Sequence, residues 1–331
     1  MIITSSQLQQ AVKILKQGGL VAFPTETVYG LGADACQEEA ITKIFEAKKR
    51  PFDHPLIVHI ADVSQLSAWA QEVPEMAFKL AQAFWPGPLT LILKKKPTVL
   101  SSLTAGQETV GLRIPAHPVA QALLQAFGGG IAAPSANQFT HVSPTTAQAV
   151  VEELGDRVDL ILEGGTCEVG VESTILDLSR HQPIILRPGM ITASALETAL
   201  NMPILAAEQA ETSVRAPGRH HLHYAPRTKT ILIKTENITA FLATLTAEDY
   251  PIALLSYHSF NVALTHPIHY VKMPSDALSF AHQLYHQLRL LDHQQFKSIV
   301  IENVPHGEEW TAIRDRLRKA SGSVDFGENS P

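Results

Sequence analysis

Leu20-Val21-Ala22-Phe23-Pro24-Thr25-Glu26-Thr27-Val28-Tyr29-Gly30-Leu31-Gly32 is an apolar run stopped by proline and followed by small and polar residues. Leu20 to Phe23 reads as a short apolar strand that Pro24 terminates. Upstream, Leu8, Val12 and Leu15 fall near helical spacing, so Gln7 to Gln17 is predicted as a helix, ended by Gly18-Gly19. Downstream, Glu38 to Lys49 reads as a helix with Ile41, Ile44 and Phe45 turned inward and Pro51 as its stop. Further strands are expected at Leu56 to Ile60, Leu89 to Leu93, Ile131 to Ala133, Leu160 to Leu162, Ser173 to Leu178 and Ile184 to Leu186. Ser143-Pro144 has the form of a helix start, Ser as N-cap and Pro in the first turn. This alternation predicts a mixed, strongly twisted sheet with helices against it.

Residues 206–229 change character: Ala216-Pro217-Gly218, Ala225-Pro226, several charges, and the rings of His220, His221, His223 and Tyr224, with little apolar periodicity. They read as a linker. Beyond them a second α/β unit is expected, with strands at Thr230 to Ile233, Ile252 to Ser256 and Ser298 to Ile301 and helices at Ile238 to Leu245, Asp276 to Leu291 and Glu308 to Ala320. That pattern predicts a small parallel, Rossmann-like sheet. The division is therefore 1–205, 206–229 and 230–331. A length of 331 residues agrees with two domains or one large one.

Composition narrows the function classes. A net charge of -6 argues against a broad electrostatic grip on nucleic acid, leaving room for a local basic patch. The two cysteines, Cys36 and Cys167, form no CxxC pair, so neither a disulfide framework nor a cysteine-rich zinc site is expected, in keeping with a cytoplasmic protein. The start Met1-Ile2-Ile3-Thr4-Ser5-Ser6 does not read as a signal peptide. No apolar run reaches the roughly 18 residues of a membrane helix.

The common phosphate motifs are missing: there is no GxxxxGK[ST], and Gly30-Leu31-Gly32 does not extend into GxGxxG. Lys48-Lys49-Arg50 closes a helix, where cations satisfy a C-terminus, yet the same group suits an anion clamp. Pro134-Ser135-Ala136-Asn137 follows a strand and reads either as a turn or as a place where a ligand approaches backbone and polar donors. Glu172-Ser173-Thr174-Ile175, after Gly164-Gly165 and Gly170, offers adjacent hydroxyls to phosphate oxygens, or a simple edge strand. Arg113 and Arg187 lie at strand ends, where surface ion pairs are the commoner role. His282, His286 and His293 share a helical face without the Glu of a metalloprotease motif, so a solvent-facing role is expected. The His220 to His223 run is metal-capable by composition, though a linker role fits it better.

Together these segments resemble the threonylcarbamoyl-AMP synthase family, the YrdC-type fold with an added C-terminal domain. The resemblance rests on Pro24 to Gly32; Lys48 to Arg50 leading into Pro55-Leu56-Ile57-Val58-His59; Trp85-Pro86-Gly87-Pro88-Leu89-Thr90; and Leu112 to Pro115. It continues through Ala133 to Asn137, Ser143-Pro144-Thr145, Glu172 to Asp177 and Leu186 to Gly189, all in family order. The KxR and SxN signatures map to Lys48/Arg50 and Ser135/Asn137. Pro217-Gly218 and His223-Tyr224-Ala225-Pro226 resemble the family's linker. Leu290-Leu291-Asp292 and Arg316 to Ala320 resemble its C-terminal domain. The chain departs at Lys49 and at Phe139-Thr140, where small residues are usual, and at Arg219 to Leu222.

The resemblance implies a YrdC-like twisted mixed sheet with flanking helices, a Rossmann-like C-terminal domain, and a nucleotidyltransferase. L-threonine takes up bicarbonate to give a carbamate, which attacks the α-phosphate of ATP and expels pyrophosphate. The product goes to the machinery that transfers threonylcarbamoyl to a tRNA adenosine. By family position, Lys48 and Arg50 are the catalytic cations, Thr27, His59 and Ser135 surround threonine, and Arg113, Asn137, Ser173, Arg187 and Tyr224 hold the nucleotide. Tyr224 belongs to a linker expected to act as a lid. Mg²⁺ is expected on the ATP phosphates, with no dedicated set of protein ligands. Two other readings remain: a non-catalytic RNA-binding module of the same fold, which the acidity argues against, and a carbamoyl-transferring maturation factor, whose extra zinc-finger-like and acylphosphatase-like segments are not found.

Overall fold

The structure is a computed structural model in which residues 3–210, 213–218, 223–260, 267–322 and 325–326 are described. The chain divides into two compact units, residues 1–139 with 143–219, and residues 140–142 with 220–331.

The first unit is built on a ten-stranded sheet. In spatial order its strands are Leu205–Ala206, Ile184–Arg187, Thr174–Asp177, Leu89–Lys94, Thr109–Arg113, Ile57–His59, Ile131–Ala132, Gly30–Asp34, Val21–Phe23 and Leu160–Ile161. Pairings are mixed: Leu89–Lys94 runs parallel to Thr174–Asp177 and antiparallel to Thr109–Arg113. The expected mixed α/β architecture is present. Helices such as Ser5–Lys16, Glu38–Lys48, Glu75–Phe84 and Pro118–Phe127 bury their apolar faces on it. Ile41, Ile44 and Phe45 lie in the core as their spacing predicts.

Three strands of this sheet escape the sequence reading, the short edge strand Leu205–Ala206 and two interior ones. Gly30–Asp34 lacks both alternation and β-branched residues, yet it pairs antiparallel with Val21–Phe23. A Cβ on Gly32 would stand 2.8 Å from the Phe23 ring and 2.9 Å from Ile131, so the glycine is what lets the neighbouring side chains lie across the strand. Thr109–Arg113 was seen only through its terminal arginine. The expected helix start at Ser143-Pro144 is also corrected. The helix is Ala147–Leu154, and Thr146 is its N-cap, accepting from Ala149 N. Ser143 instead donates to the buried Glu172, and the Pro144 carbonyl accepts from Tyr29 N.

The second unit holds a five-stranded, wholly parallel sheet in the order His269–Lys272, Ile252–Ser256, Ser298–Glu302, Lys229–Ile233 and Asp325–Phe326. The helices Ile238–Thr244, Ala277–Asp292 and Thr311–Ala320 belong to it. Leu284, Leu288 and Leu291 are buried, whereas His286 and His293 face solvent.

Residues 206–229 are shared between the units. Leu205–Ala206 pairs with Ile184 and Ile185. Val214 and Ala216 are buried with Ile57, Ile92 and Ile175. Arg215 is tied to Gln107, Asp53 and Ala105. From His223 onward the chain belongs to the second unit, where Ala225 N donates to Thr140 O. His220 and His221, with the Arg219 to Leu222 departure, lie outside the described residues. Among the described residues no helix is long and apolar enough to cross a membrane.

Candidate active site

The helix Glu38–Lys48 ends on Lys49 in the left-handed conformation, φ 53° and ψ 40°. This reversal sends Lys49 to solvent while Lys48 and Arg50, on either side of it, are buried. Lys48 Nζ donates to the carbonyls of Ser135 at 2.6 Å and Asn137 at 2.5 Å. Phe139 N returns a bond to Lys48 O at 2.8 Å. The 135–139 strap and the 48–50 corner are thus one hydrogen-bonded piece. Burial, then the Arg50 charge, depresses the Lys48 ammonium well below its ordinary range, and Glu153 and Glu172 pull it back up. Arg50 Nη2 donates to Pro55 O, and its guanidinium stands 5.9 Å from the centre of the Phe139 ring. His54 packs on the other partner of that contact, its ring centroid 5.1 Å from Phe139.

The segment Ile131 to Asn137 gathers the residues expected around threonine. His59 sits opposite Ile131 in the sheet, and Gly30 bridges to Ser135. Thr27 hangs from the turn before Gly30, its hydroxyl 2.8 Å from that of Thr25, which also donates to Val28 O. His59 is buried, and its Nδ1 has no hydrogen-bond partner among the described residues. Burial, with the Arg113 charge beside it, lowers the imidazole from its ordinary 6.5 to about 3, so the ring is neutral near pH 7.

The strand Leu89–Lys94 and the loop before it join the remaining candidates. Arg113 Nε donates to Gly87 O at 3.2 Å, and its Nη2 meets Glu26 Oε1 at 2.7 Å, both side chains buried. Glu26 Oε2 also accepts from Ala116 N. The surface ion pair suggested for Arg113 is therefore an interior one, where loss of either partner would leave a desolvated charge. Ser173 Oγ lies 2.8 Å from Thr90 Oγ1 and accepts from Arg187 Nη2 at 3.1 Å, while Arg187 Nε holds Ser173 O. Arg187 Nη1 reaches Pro217 O. Gly189 makes this corner possible: a Cβ there would be 2.2 Å from Thr174 N.

Nine of the ten candidate residues thus fall into two contiguous clusters of the first unit. The tenth, Tyr224, belongs to the second unit. It is buried in the second unit with φ 59°, its ring 4.9 Å beneath the Arg316 guanidinium and 5.9 Å from Tyr285. Glu26, His54 and Phe139 were given no role by sequence. The available signal for Glu26 was a carboxylate inside a motif otherwise apolar or hydroxylated; His54 and Phe139 offered none.

The first unit is thus an α/β unit whose interior holds two buried basic side chains, a strap of inward carbonyls and a neutral buried imidazole, in a chain with a second, parallel-sheet unit. The chain belongs to the threonylcarbamoyl-AMP synthase family. Residues 13–189 match the family of Sua5, YciO and YrdC proteins described as "Telomere recombination", and residues 191–322 match the "Threonylcarbamoyl-AMP synthase, C-terminal domain". Threonylcarbamoyl-AMP synthase of Pyrococcus abyssi is 38% identical over 326 residues, covering 96% of this chain and 94% of that one. The Bacillus subtilis enzyme of that name is 41% identical over 326 residues, 96% and 93% covered. A crystal structure of P. abyssi Sua5 complexed with L-threonine superposes with a TM-score of 0.90 at 37% identity, covering 98% of this chain and 97% of that one.

Proposed function

We propose that this chain is an L-threonylcarbamoyladenylate synthase, a nucleotidyltransferase that converts L-threonine, bicarbonate and ATP into threonylcarbamoyl-AMP and pyrophosphate. The observation that carries the reading is the Lys48–Arg50 corner, two buried cations locked to the Ser135–Asn137 strap. It is supported by full-length relatives bearing that name and by a relative solved with L-threonine. Such a site suits anions, because desolvated cations gain most from a carboxylate or phosphate.

In this reading Arg50 and Lys48 neutralise the threonine carboxylate and the ATP phosphates. Thr27, His59 and Ser135 surround the amino acid, and His59 contributes a neutral imidazole. Asn137, Ser173, Arg113 and Arg187 form the nucleotide side, with Arg113 braced by Glu26. The carbamate oxygen attacks the α-phosphorus as pyrophosphate leaves, so the protein's work is alignment and charge stabilisation. A labile carbamate also requires water to be kept out. Mg²⁺ would accompany the ATP phosphates and offset their charge. The product would serve the transferase that modifies tRNA adenosine.

Arg50→Ala is the direct test. With the fold retained, as read by circular dichroism, pyrophosphate release should fall by about 10²–10³-fold. Wild-type turnover in the folded variant would remove the corner from the reaction.

A further inference from the structure

The second unit contains a polar cluster that the proposed reaction does not use. Strands Ile252–Ser256 and Ser298–Glu302 lie side by side and parallel. After Ser256 the chain passes to His269–Lys272 on one flank of the sheet; after Glu302 it passes to Asp325–Phe326 on the opposite flank. Their carboxyl ends therefore form a topological switch point, the crevice in which open parallel sheets take ligands.

The Glu302 carboxylate stands there with 0% side-chain exposure. Its Oε2 accepts from Ser256 Oγ at 2.5 Å, Tyr257 N at 3.0 Å and His258 N at 3.1 Å, and its Oε1 from Thr235 Oγ1 at 2.8 Å and His258 Nδ1 at 2.5 Å. Burial pushes the carboxyl up, but the bonds from His258, Ser256 and Thr235 outweigh it and hold Glu302 below its ordinary range. The carboxylate on Nδ1 orients the ring, and in the neutral imidazole it selects the tautomer with the N–H on Nδ1, leaving Nε2 as an acceptor on a side chain that is 54% exposed. The loop is pinned from outside as well: Tyr270 Oη donates to His258 O, and Lys272 Nζ donates to Tyr257 O.

The donors of this cluster are spent inward on Glu302, which leaves little to bind a phosphate or carboxylate. What faces outward accepts. His258 Nε2 of the neutral ring does so; behind the surface, the buried Oδ1 of the adjacent Asn303 is a further acceptor without a partner among the described residues. Flat rings flank the imidazole, Tyr257 at 4.3 Å and Phe260 at 6.5 Å. A fitting ligand brings its own N–H donors on a planar ring.

We infer that the carboxyl end of the second unit's sheet is a nucleoside-binding site, in which His258, oriented by Glu302, accepts a base N–H beside the Tyr257 and Phe260 rings. The test uses the full-length chain with ¹⁵N-labelled histidine, the His258 ring resonance being identified by its loss in His258→Asn. Adenosine, guanosine, cytidine and uridine are titrated separately to about 10 mM, above a weak millimolar Kd, with ribose as control. At least one nucleoside should shift the His258 resonance saturably. The same titration should shift the Tyr257 amide, and His258→Asn should abolish that response. Glu302→Gln should weaken binding several-fold; if it fails to fold, the His258→Asn comparison still decides. The response should survive in Arg50→Ala, which separates it from nucleotide held by the first unit. No shift with any nucleoside, an equal shift with ribose alone, or loss of the response in Arg50→Ala would overturn the inference.

Discussion

Lys49 is the clearest case of a residue whose backbone matters more than its side chain. A β-carbon in the left-handed region costs about 1–2 kcal/mol, and Lys49 adds a third positive charge beside Lys48 and Arg50. Glycine adopts the conformation freely but loses more entropy on folding. Lys49→Gly should therefore raise stability by a net of about 0.5–1 kcal/mol, read by denaturant melts, with pyrophosphate release unchanged. Loss of stability would mean that the side chain contributes a contact. His59 offers a pH test. Its folded pKa is about 3 against an ordinary 6.5, so between those values the unfolded chain binds a proton that the folded chain refuses. Stability should then fall as pH drops through that window, with His59 contributing at most about 1.4 kcal/mol per pH unit. His59→Phe keeps a ring against Phe23, which His59 meets edge-on at 6.0 Å. It should flatten the acid limb by one proton and impair threonine use; an unchanged limb would show that other groups carry the acid sensitivity.

Among the elements, the paired strands Thr174–Asp177 and Ile184–Arg187 show how a loop glycine controls a site. The loop after Arg187 folds back so closely that Gly189 faces Thr174 N and the Ser173 carbonyl carbon. Gly189→Ala must push these strands apart, separating Arg187 from Ser173. A destabilisation of about 1–3 kcal/mol is expected, together with a rise in the KM for ATP in the fraction that folds. Normal kinetics would place Ser173 and Arg187 outside the nucleotide site. Helix Glu38–Lys48 was legible because its apolar spacing and its proline stop agree. Strand Gly30–Asp34 was not, because its pairing depends on the absence of side chains at two glycines rather than on a hydrophobic pattern. The false helix start at Ser143-Pro144 has a similar origin. A local capping signal lost to a long-range bond with Glu172, twenty-nine positions away.

At the scale of the molecule, each unit carries its own sheet and its own buried cluster. In the second unit the fully buried Arg316 joins Asp315 at 2.5 Å and covers the Tyr224 ring. Arg316→Ala should destabilise that unit by about 2–3 kcal/mol, through lost packing of its buried stem and over the Tyr224 ring, since Asp315 keeps Lys319 at 2.7 Å. Hydrogen exchange should then accelerate for amides of Ile252–Ser256 and Ser298–Glu302 while those of Leu89–Lys94 and Thr174–Asp177 keep their protection. Equal acceleration in both sheets would mean that the units open together.

The sequence by itself determined the α/β class, the two-part organisation and the ordered motifs from Pro24 to Gly189, because periodicity, stops and motif order are local properties of the chain. The partners within the site came only from tertiary structure. Lys48 meets Ser135 and Asn137 nearly ninety positions away, and Arg113 meets Glu26 at a similar separation. Tyr224, grouped by motif with the nucleotide residues, packs against Arg316 and Tyr285. Burial and charge pairing are set by what the sheet brings side by side, and no local pattern encodes that.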